Sequence, residues 1–390
     1  MSARQGVLSK RMTMAKILFC EKGRSGKFTL LAPAFFCLLL PAFCFAADAW
    51  TVKDMAGRSV RAPKSVHRIV ALGPGALRLV VYLEVMDRVV GVEEAEKGRF
   101  PFAARPYGLA AREKIMALPS VGEGGAGRNP DPESILALKP DIIVAVGLDA
   151  AQVSGLEAKT GIPVLVLNYG DIGVFREEAL ISLELLGRIV GREKRAADIL
   201  RFIDDCRGDL QRRSAGSGSL EKPSVYVGGI GHKGRQGLNS TEAGFLPLVY
   251  AGGRNVADET GRSGRLFIDR EKLLAWNPDV IFIDANGLDL IAADYAANPA
   301  FYHALGAVKT GRVYSLFPYN FYGTNIELAL ADAYFIGKVL YPGRFRDIDP
   351  AKKAAEIVLF LAGRPVFNEM NEAYRGFGAV SFERGRIHVR

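Results

Sequence analysis

The chain has 390 residues, long enough for two domains with sizeable cores, and its 51 basic and 42 acidic residues give a formal charge of +9. That excess sits at the N-terminus, where Arg4, Lys10, Arg11, Lys16, Lys22, Arg24 and Lys27 stand with one acid, Glu21; the remainder carries 44 basic against 41 acidic residues, +3, which argues against a nucleic-acid partner. Three of the four cysteines, Cys20, Cys37 and Cys44, lie in the same segment, so Cys206 alone remains and an intramolecular disulfide is excluded from the mature chain.

The basic stretch precedes an apolar run at 28–47 that ends on the small residues Ala46 and Ala47. That order reads as a secretory signal peptide, residues 1–47. About 20 apolar residues could instead span a bilayer. However, Pro33 and Pro41 interrupt the run and an ordinary soluble sequence follows. A lipid anchor at Cys44 is disfavoured, because Phe43 puts a bulky ring where a processing site wants a small residue. The expected product is a soluble, monomeric periplasmic protein.

Residues 50–62 hold the turn Asp54-Met55-Ala56-Gly57-Arg58 between two short strands, and 68–72 is an apolar strand broken by Gly73-Pro74-Gly75. Glycines at a strand end let a ligand approach backbone amides, so Gly73 and Pro74 are a first candidate wall of a binding site. A helix follows over 76–85 and a strand over 89–92. The polar stretch 93–128 reads as irregular, with Tyr107, Glu123 and Arg128 at an entrance and Glu93 and Glu94 as a solvated acidic pair. Strand 144–146 ends at Leu148, and strand 164–167 at Asn168 and Tyr169, two further rim positions.

Residues 175–190 and 193–213 carry apolar side chains at helical spacing, and no proline occurs from 170 to 220. At 1.5 Å per residue a helix of about 20 residues is roughly 30 Å long, a stiff rod that restricts opening to small motions. The strand at 224–227 leads into Gly228-Gly229-Ile230-Gly231-His232-Lys233-Gly234-Arg235, a literal G-x-G-x-x-G. A dinucleotide site needs a helix to begin at once, and 236–241 is no helix start. The loop is instead a cleft wall whose His232, Lys233 and Arg235 offer positive charge to an anion. Strand 280–283 ends near Asn286. The loop Phe317-Pro318-Tyr319-Asn320-Phe321-Tyr322-Gly323-Thr324-Asn325 sets Tyr319, Asn320 and Tyr322 at a strand end, where aromatic faces and polar tips suit a planar or bulky ligand. A helix at 327–340 follows, and the tail adds one helix at 351–361 and an irregular end.

One sentence of this sequence is said twice. Glu133-Ser134-Ile135-Leu136-Ala137-Leu138-Lys139-Pro140-Asp141-Ile142-Ile143-Val144 returns as Glu271-Lys272-Leu273-Leu274-Ala275-Trp276-Asn277-Pro278-Asp279-Val280-Ile281-Phe282. Each copy is a short amphipathic helix opened by a carboxylate, stopped near a proline, and followed by a strand buried on both faces. The duplication implies an α/β fold of two lobes with mainly parallel sheets, joined by one long rigid helix, with a ligand cleft between them. The expected divisions are 1–47 signal peptide, 48–190 first lobe, 191–214 linking helix, 215–345 second lobe, and 346–390 C-terminal helix and tail. Over residues 50–341 the chain resembles the periplasmic substrate-binding proteins of ABC importers, in the helical-backbone group that binds ferric siderophores, haem and vitamin B12. The resemblance implies that Glu133 and Glu271 sit on the lobe tips and dock against arginines of a membrane permease. The hairpin at 54–58 resembles that of iron-complex binders.

The expected ligand is therefore an iron complex or similar metal chelate, with a corrinoid or an oxyanion such as molybdate as the alternative. His67, His232, His303 and His388 are too few and too scattered for a bare metal ion. No cofactor is expected. No nucleophile elbow, metalloprotease helix or complete phosphate loop occurs, so an envelope enzyme built on residues 229–234 is the weaker reading.

Overall fold

The repeated sentence folds the same way twice. In the computed structural model, which describes residues 49–125, 127–169, 177–215, 222–231 and 234–390, the first copy is a helix Pro132–Leu138 and a strand Ile142–Val146. The second is a helix Arg270–Trp276 and a strand Val280–Asp284. Asp131 and Asp269 cap the two helices by accepting the amides of Glu133 and Lys272. Lys139 and Asn277 end them in the left-handed conformation, at φ 47° and 40°. Asp141 then accepts the amides of His67 and Arg68 at 2.7 and 2.8 Å. Its counterpart Asp279 accepts the amide and hydroxyl of Ser224 at 2.7 Å each. Each Pro-Asp step thus ties its strand to the start of the neighbouring one.

In chain order the first lobe comprises β1 (Ala49–Lys53), β2 (Ser59–Pro63), β3 (Ile69–Leu72), α1 (Ala76–Tyr82), β4 (Val89–Val92), α2 (Pro106–Ala110), α3 (Arg112–Ala117), α4 (Pro132–Leu138), β5 (Ile142–Val146), α5 (Ala150–Thr160), β6 (Val164–Leu167) and α6 (Glu177–Ile189). After α7 (Glu193–Ser214) come β7 (Ser224–Gly228), β8 (Ser240–Ala243), α8 (Leu246–Tyr250), β9 (Arg254–Asn255), β10 (Gly264–Phe267), α9 (Arg270–Trp276), β11 (Val280–Asp284), α10 (Leu288–Ala297), α11 (Pro299–Ala304), α12 (Gly306–Lys309), β12 (Val313–Leu316) and α13 (Ile326–Leu340). The chain closes with α14 (Pro350–Ala362), α15 (Phe367–Tyr374), β13 (Val380–Glu383) and β14 (Arg386–Val389).

Two parallel four-stranded sheets result, ordered β4-β3-β5-β6 and β9-β7-β11-β12. The strand order is the same in both lobes. The apolar runs divide by alternation: in the first sheet Ile69, Ala71, Ile142 and Val144 face a large shared core, while Val70, Leu72, Ile143 and Ala145 face an outer one. In the second sheet Val225, Val227, Val280 and Phe282 join the shared core, and Tyr226, Ile281 and Ile283 turn outward. Residues of α6, α7, α13 and α14 complete the shared core, so apolar packing runs continuously from one sheet to the other.

Two local readings are corrected. The stretch 93–128 contains α2 and α3 rather than wholly irregular chain, because Pro106 occupies the first helical turn, where a missing N–H costs nothing. The tail beyond 362 holds α15 and an antiparallel hairpin, turned through Arg384 and Gly385 at φ 49° and 74°. It joins the second lobe through a bridge between Tyr314 and Ala379 and through Phe377, which packs on Phe317 and Phe335. No helix among the described residues is long and apolar enough to cross a membrane. The signal-peptide segment and Cys44 lie outside the described residues.

Candidate functional site

The loops at the carboxyl ends of both sheets meet. Gly73, just past β3, has φ +83° and donates its amide to a Glu93 carboxylate oxygen at 2.9 Å. The same oxygen accepts the Tyr322 hydroxyl at 2.9 Å, from the loop after β12 in the other lobe. That hydroxyl also accepts the Gly125 amide at 3.2 Å. The Tyr322 ring lies 4.9 Å from Phe100, and a Cβ added to Gly323 would stand 3.5 Å from the Pro74 backbone. Gly73, Pro74 and Tyr322 therefore come together, with Glu93 between them.

Glu93 corrects the reading of a solvated pair: Glu94 is exposed, but Glu93 is buried. Burial raises its pKa, against the opposing bonds from Gly73 and Tyr322.

Behind this contact lies a buried arginine. Arg78 of α1 is fully buried and donates one Nη2 to the carbonyls of Phe321, Tyr322 and Gly323, each at 3.2 Å. Its guanidinium carbon is 4.6 Å from the centre of the Tyr107 ring and 5.5 Å from that of Tyr169. Burial works against the charge, but Tyr169, Tyr107, Tyr82 and Glu327 outweigh it and hold the pKa above the ordinary value. Arg78 Nε and Nη1 find no hydrogen-bond acceptor among the described residues, nor does the Tyr169 hydroxyl form a well-aligned bond, though Arg78 lies close to it. An arginine with two buried, unpartnered N–H edges is costly unless an acceptor reaches them.

Neighbouring groups are better satisfied. Tyr82 donates to Glu327 of α13 across the lobes, and Arg105 pairs with Glu96, whose carboxylate also accepts the Tyr107 hydroxyl at 3.0 Å. Tyr107 is thus a buried supporting residue beneath Arg78 rather than an entrance side chain.

The second lobe contributes its own buried polar set. The Tyr319 hydroxyl donates to Glu242 of β8 at 3.0 Å, and its ring meets Phe245 edge-on at 5.2 Å. Burial pushes the Glu242 carboxyl up to about 7, against Tyr319 and Arg265. Burial likewise raises Asp284, at the end of β11, to about 7, against its bond from the Asn286 amide. Asn320 is half-buried and accepts from Thr324 at 3.4 Å. Arg235 is exposed and paired with Asp289 at 3.0 Å, while half-buried Leu148 packs on the outer core of the first lobe. His232 and Lys233 lie outside the described residues. The glycine-rich loop leads into β8, a strand and not a dinucleotide-binding helix. Among the described residues no cluster of His, Cys, Asp or Glu could hold a metal ion.

Sequence reasoning missed Arg78, Glu93, Glu242 and Glu327. A signal existed for two of them: Arg78 is a lone cation in an apolar helix, and Glu327 opens α13, almost all of which is buried. Glu133 and Glu271 are exposed in the first turns of α4 and α9.

Comparison with known proteins agrees with this architecture. The periplasmic binding protein family matches residues 69–319. The molybdate-binding protein MolA of Haemophilus influenzae is 24% identical over 337 residues, 80% of this chain and 90% of its own length. Its solved structure with molybdate superposes with a TM-score of 0.63 at 21% identity, covering 81% of this chain and 98% of that one. An uncharacterized ABC transporter substrate-binding lipoprotein of Bacillus subtilis, YvrC, is 24% identical over 274 residues, 69% of this chain and 78% of its own length. A periplasmic solute-binding protein of Veillonella parvula superposes with a TM-score of 0.64 at 18% identity, covering 84% and 97% of the two chains. The chain belongs to the periplasmic binding protein family and is the substrate-binding component of an ABC transporter.

Proposed function

We propose that this component captures a small oxyanion of molybdate's kind between its lobes and delivers it to a membrane permease through Glu133 and Glu271. The observation that carries the reading is Arg78: a buried guanidinium at the lobe junction, with Nε and Nη1 unpartnered among the described residues and Tyr169 alongside. Planar N–H pairs suit oxyanion oxygens. The close seat of the 321–323 loop on Arg78 and Pro74 favours a compact ligand over a bulky one. The relative MolA, which binds molybdate, supports the same class.

A metal chelate such as a ferric complex is the second reading. It is favoured by the half-buried rings of Phe100, Phe321 and Tyr322 at the rim, which offer apolar faces to a larger ligand. Isothermal titration of the mature protein with molybdate, tungstate, sulfate and a ferric hydroxamate separates the two. The oxyanion reading expects molybdate or tungstate to bind at micromolar concentration or below, and Arg78→Met to abolish it. Binding of the ferric hydroxamate alone transfers the assignment to the chelate. For the docking role, charge reversal at Glu133 and Glu271 is expected to stop uptake while leaving ligand affinity unchanged.

A further inference from the structure

The duplicated helices are alike in what they leave in water as well as in what they bury. Along residues 133–138 the pattern is exposed, half-buried, buried, exposed, exposed, half-buried; along 271–276 it differs only at the second place, which is exposed. Ile135 and Leu273 are the buried knobs that fix each helix on its sheet. With the same caps and the same knob, the two helices have the same phase. Residues three and four apart share a helix face, so Glu133, Leu136 and Ala137 form one exposed strip and Glu271, Leu274 and Ala275 its copy.

Leu136 is 48% exposed and Leu274 37%. A single exposed leucine is ordinary on a protein surface. Two at the same place in a duplicated unit, each one turn beyond an exposed glutamate, form a repeated chemical pattern. Neither glutamate has an ion-pair partner among the described residues, so each strip presents a free carboxylate beside an apolar side chain.

We propose that Leu136 and Leu274 are the apolar anchors of a two-point docking surface for the permease. The partner face it fits has two copies of one socket, each with a basic group beside an apolar depression. The charge follows from the two carboxylates, and the twofold repetition follows from the chain's own duplication: two like plugs ask for two like sockets. This rests on the transport reading and adds the residues that give the contact its apolar part. Carboxylates alone would set orientation and encounter rate, whereas buried leucines set how long the complex lasts.

The test uses the full chain in intact cells with a photoreactive amino acid at Ala137 or Ala275, both exposed and beside the leucines, and a control at Leu359, an exposed leucine of α14. Adducts are identified by mass spectrometry. The expected result is a permease subunit captured from 137 and from 275 but not from 359. Its yield should fall about tenfold with Leu136→Asn or Leu274→Asn and about a hundredfold with both. Thermal melting and ligand titration of the same variants should be unchanged, since neither residue belongs to the core or the cleft. Adducts undiminished in the double variant overturn the anchoring role. Absence of any permease adduct from 137 and 275 overturns the docking surface itself. Ligand titration of that same protein then shows whether the oxyanion reading stands independently.

Discussion

The hydroxyl of Tyr322 and the carboxylate of Glu93 meet at 2.9 Å across the two lobes, and the same carboxylate oxygen holds the Gly73 amide at 2.9 Å. One buried acid thus fastens a loop of the second lobe to the rim of the first. Removing the hydroxyl with Tyr322→Phe leaves a buried carboxylate with one donor fewer, which costs about 1–3 kcal/mol. The expected outcome is a lower denaturation midpoint and faster hydrogen exchange at the Gly73 and Gly125 amides. Unchanged protection at both would mean that the lobes are held by the shared core and not by this bond.

The acids of the second lobe make stability depend on pH in a defined direction. Burial raises Glu242 and Asp284 to about 7, so the folded protein holds these protons more tightly than the unfolded chain. Their contribution is fully present below the ordinary carboxyl pKa and is lost as pH rises towards 7. At 1.36 kcal/mol per pKa unit this amounts to roughly 3 kcal/mol for Glu242 and roughly 4 kcal/mol for Asp284. Denaturant unfolding at pH 5.5 and at pH 7.5 should show the higher stability at the lower pH. Glu242→Gln and Asp284→Asn should each flatten the difference, since the amides do not titrate. A wild-type protein more stable at pH 7.5 would contradict the burial of these carboxyls.

The duplicated helix and strand were legible because their determinants are local: caps, knobs and stop signals all lie within a dozen residues. What Asp141 and Asp279 do was not legible, since their partners His67, Arg68 and Ser224 lie 74, 73 and 55 positions away. The same limit hid the site. Glu93 looked like half of a solvated pair until its partners Gly73 and Tyr322, 20 and 229 positions away, enclosed it. Tyr319 and Tyr322 stood out because the loop after β12 carries several aromatics at a strand end. Yet only the structure distinguishes their duties, Tyr319 bonded within its lobe and Tyr322 across to the other. The tail hairpin escaped because its strands are four residues each and its turn lacks the usual Asn-Gly pair.

The two Pro-Asp ties make a matched prediction. Asp141→Ala frees two backbone amides at the start of β3, and Asp279→Ala frees an amide and a hydroxyl at the start of β7. Each loss is expected to cost about 1–3 kcal/mol, because bonds to a charged acceptor are removed together. The two effects should add, since the sites lie in different lobes. A double variant losing much less than the sum of the singles would show that the lobes unfold separately, with the weaker lobe setting the observed transition.

Gly73 tests how closely the first-lobe loops must approach for the rim to form. Its φ is +83°, and a Cβ there would stand 1.9 Å from the Val146 carbonyl oxygen at the end of β5. Real Cβ atoms do not come that near backbone oxygen, so Gly73→Ala must either push β3 and β5 apart or rotate the loop away from Glu93. Gly147 provides the control: its φ is similar, +75°, but nothing lies within 4 Å of its added Cβ. Gly147→Ala should therefore cost only the left-handed conformation, about 1 kcal/mol. Gly73→Ala should cost more than about 3 kcal/mol, or yield a protein that folds with the Glu93 bond broken and the ligand held more weakly. Denaturant unfolding and ligand titration of the two variants side by side distinguish these outcomes. Equal losses in both would mean that backbone conformation alone, and not the approach of the two strand ends, shapes this end of the first sheet.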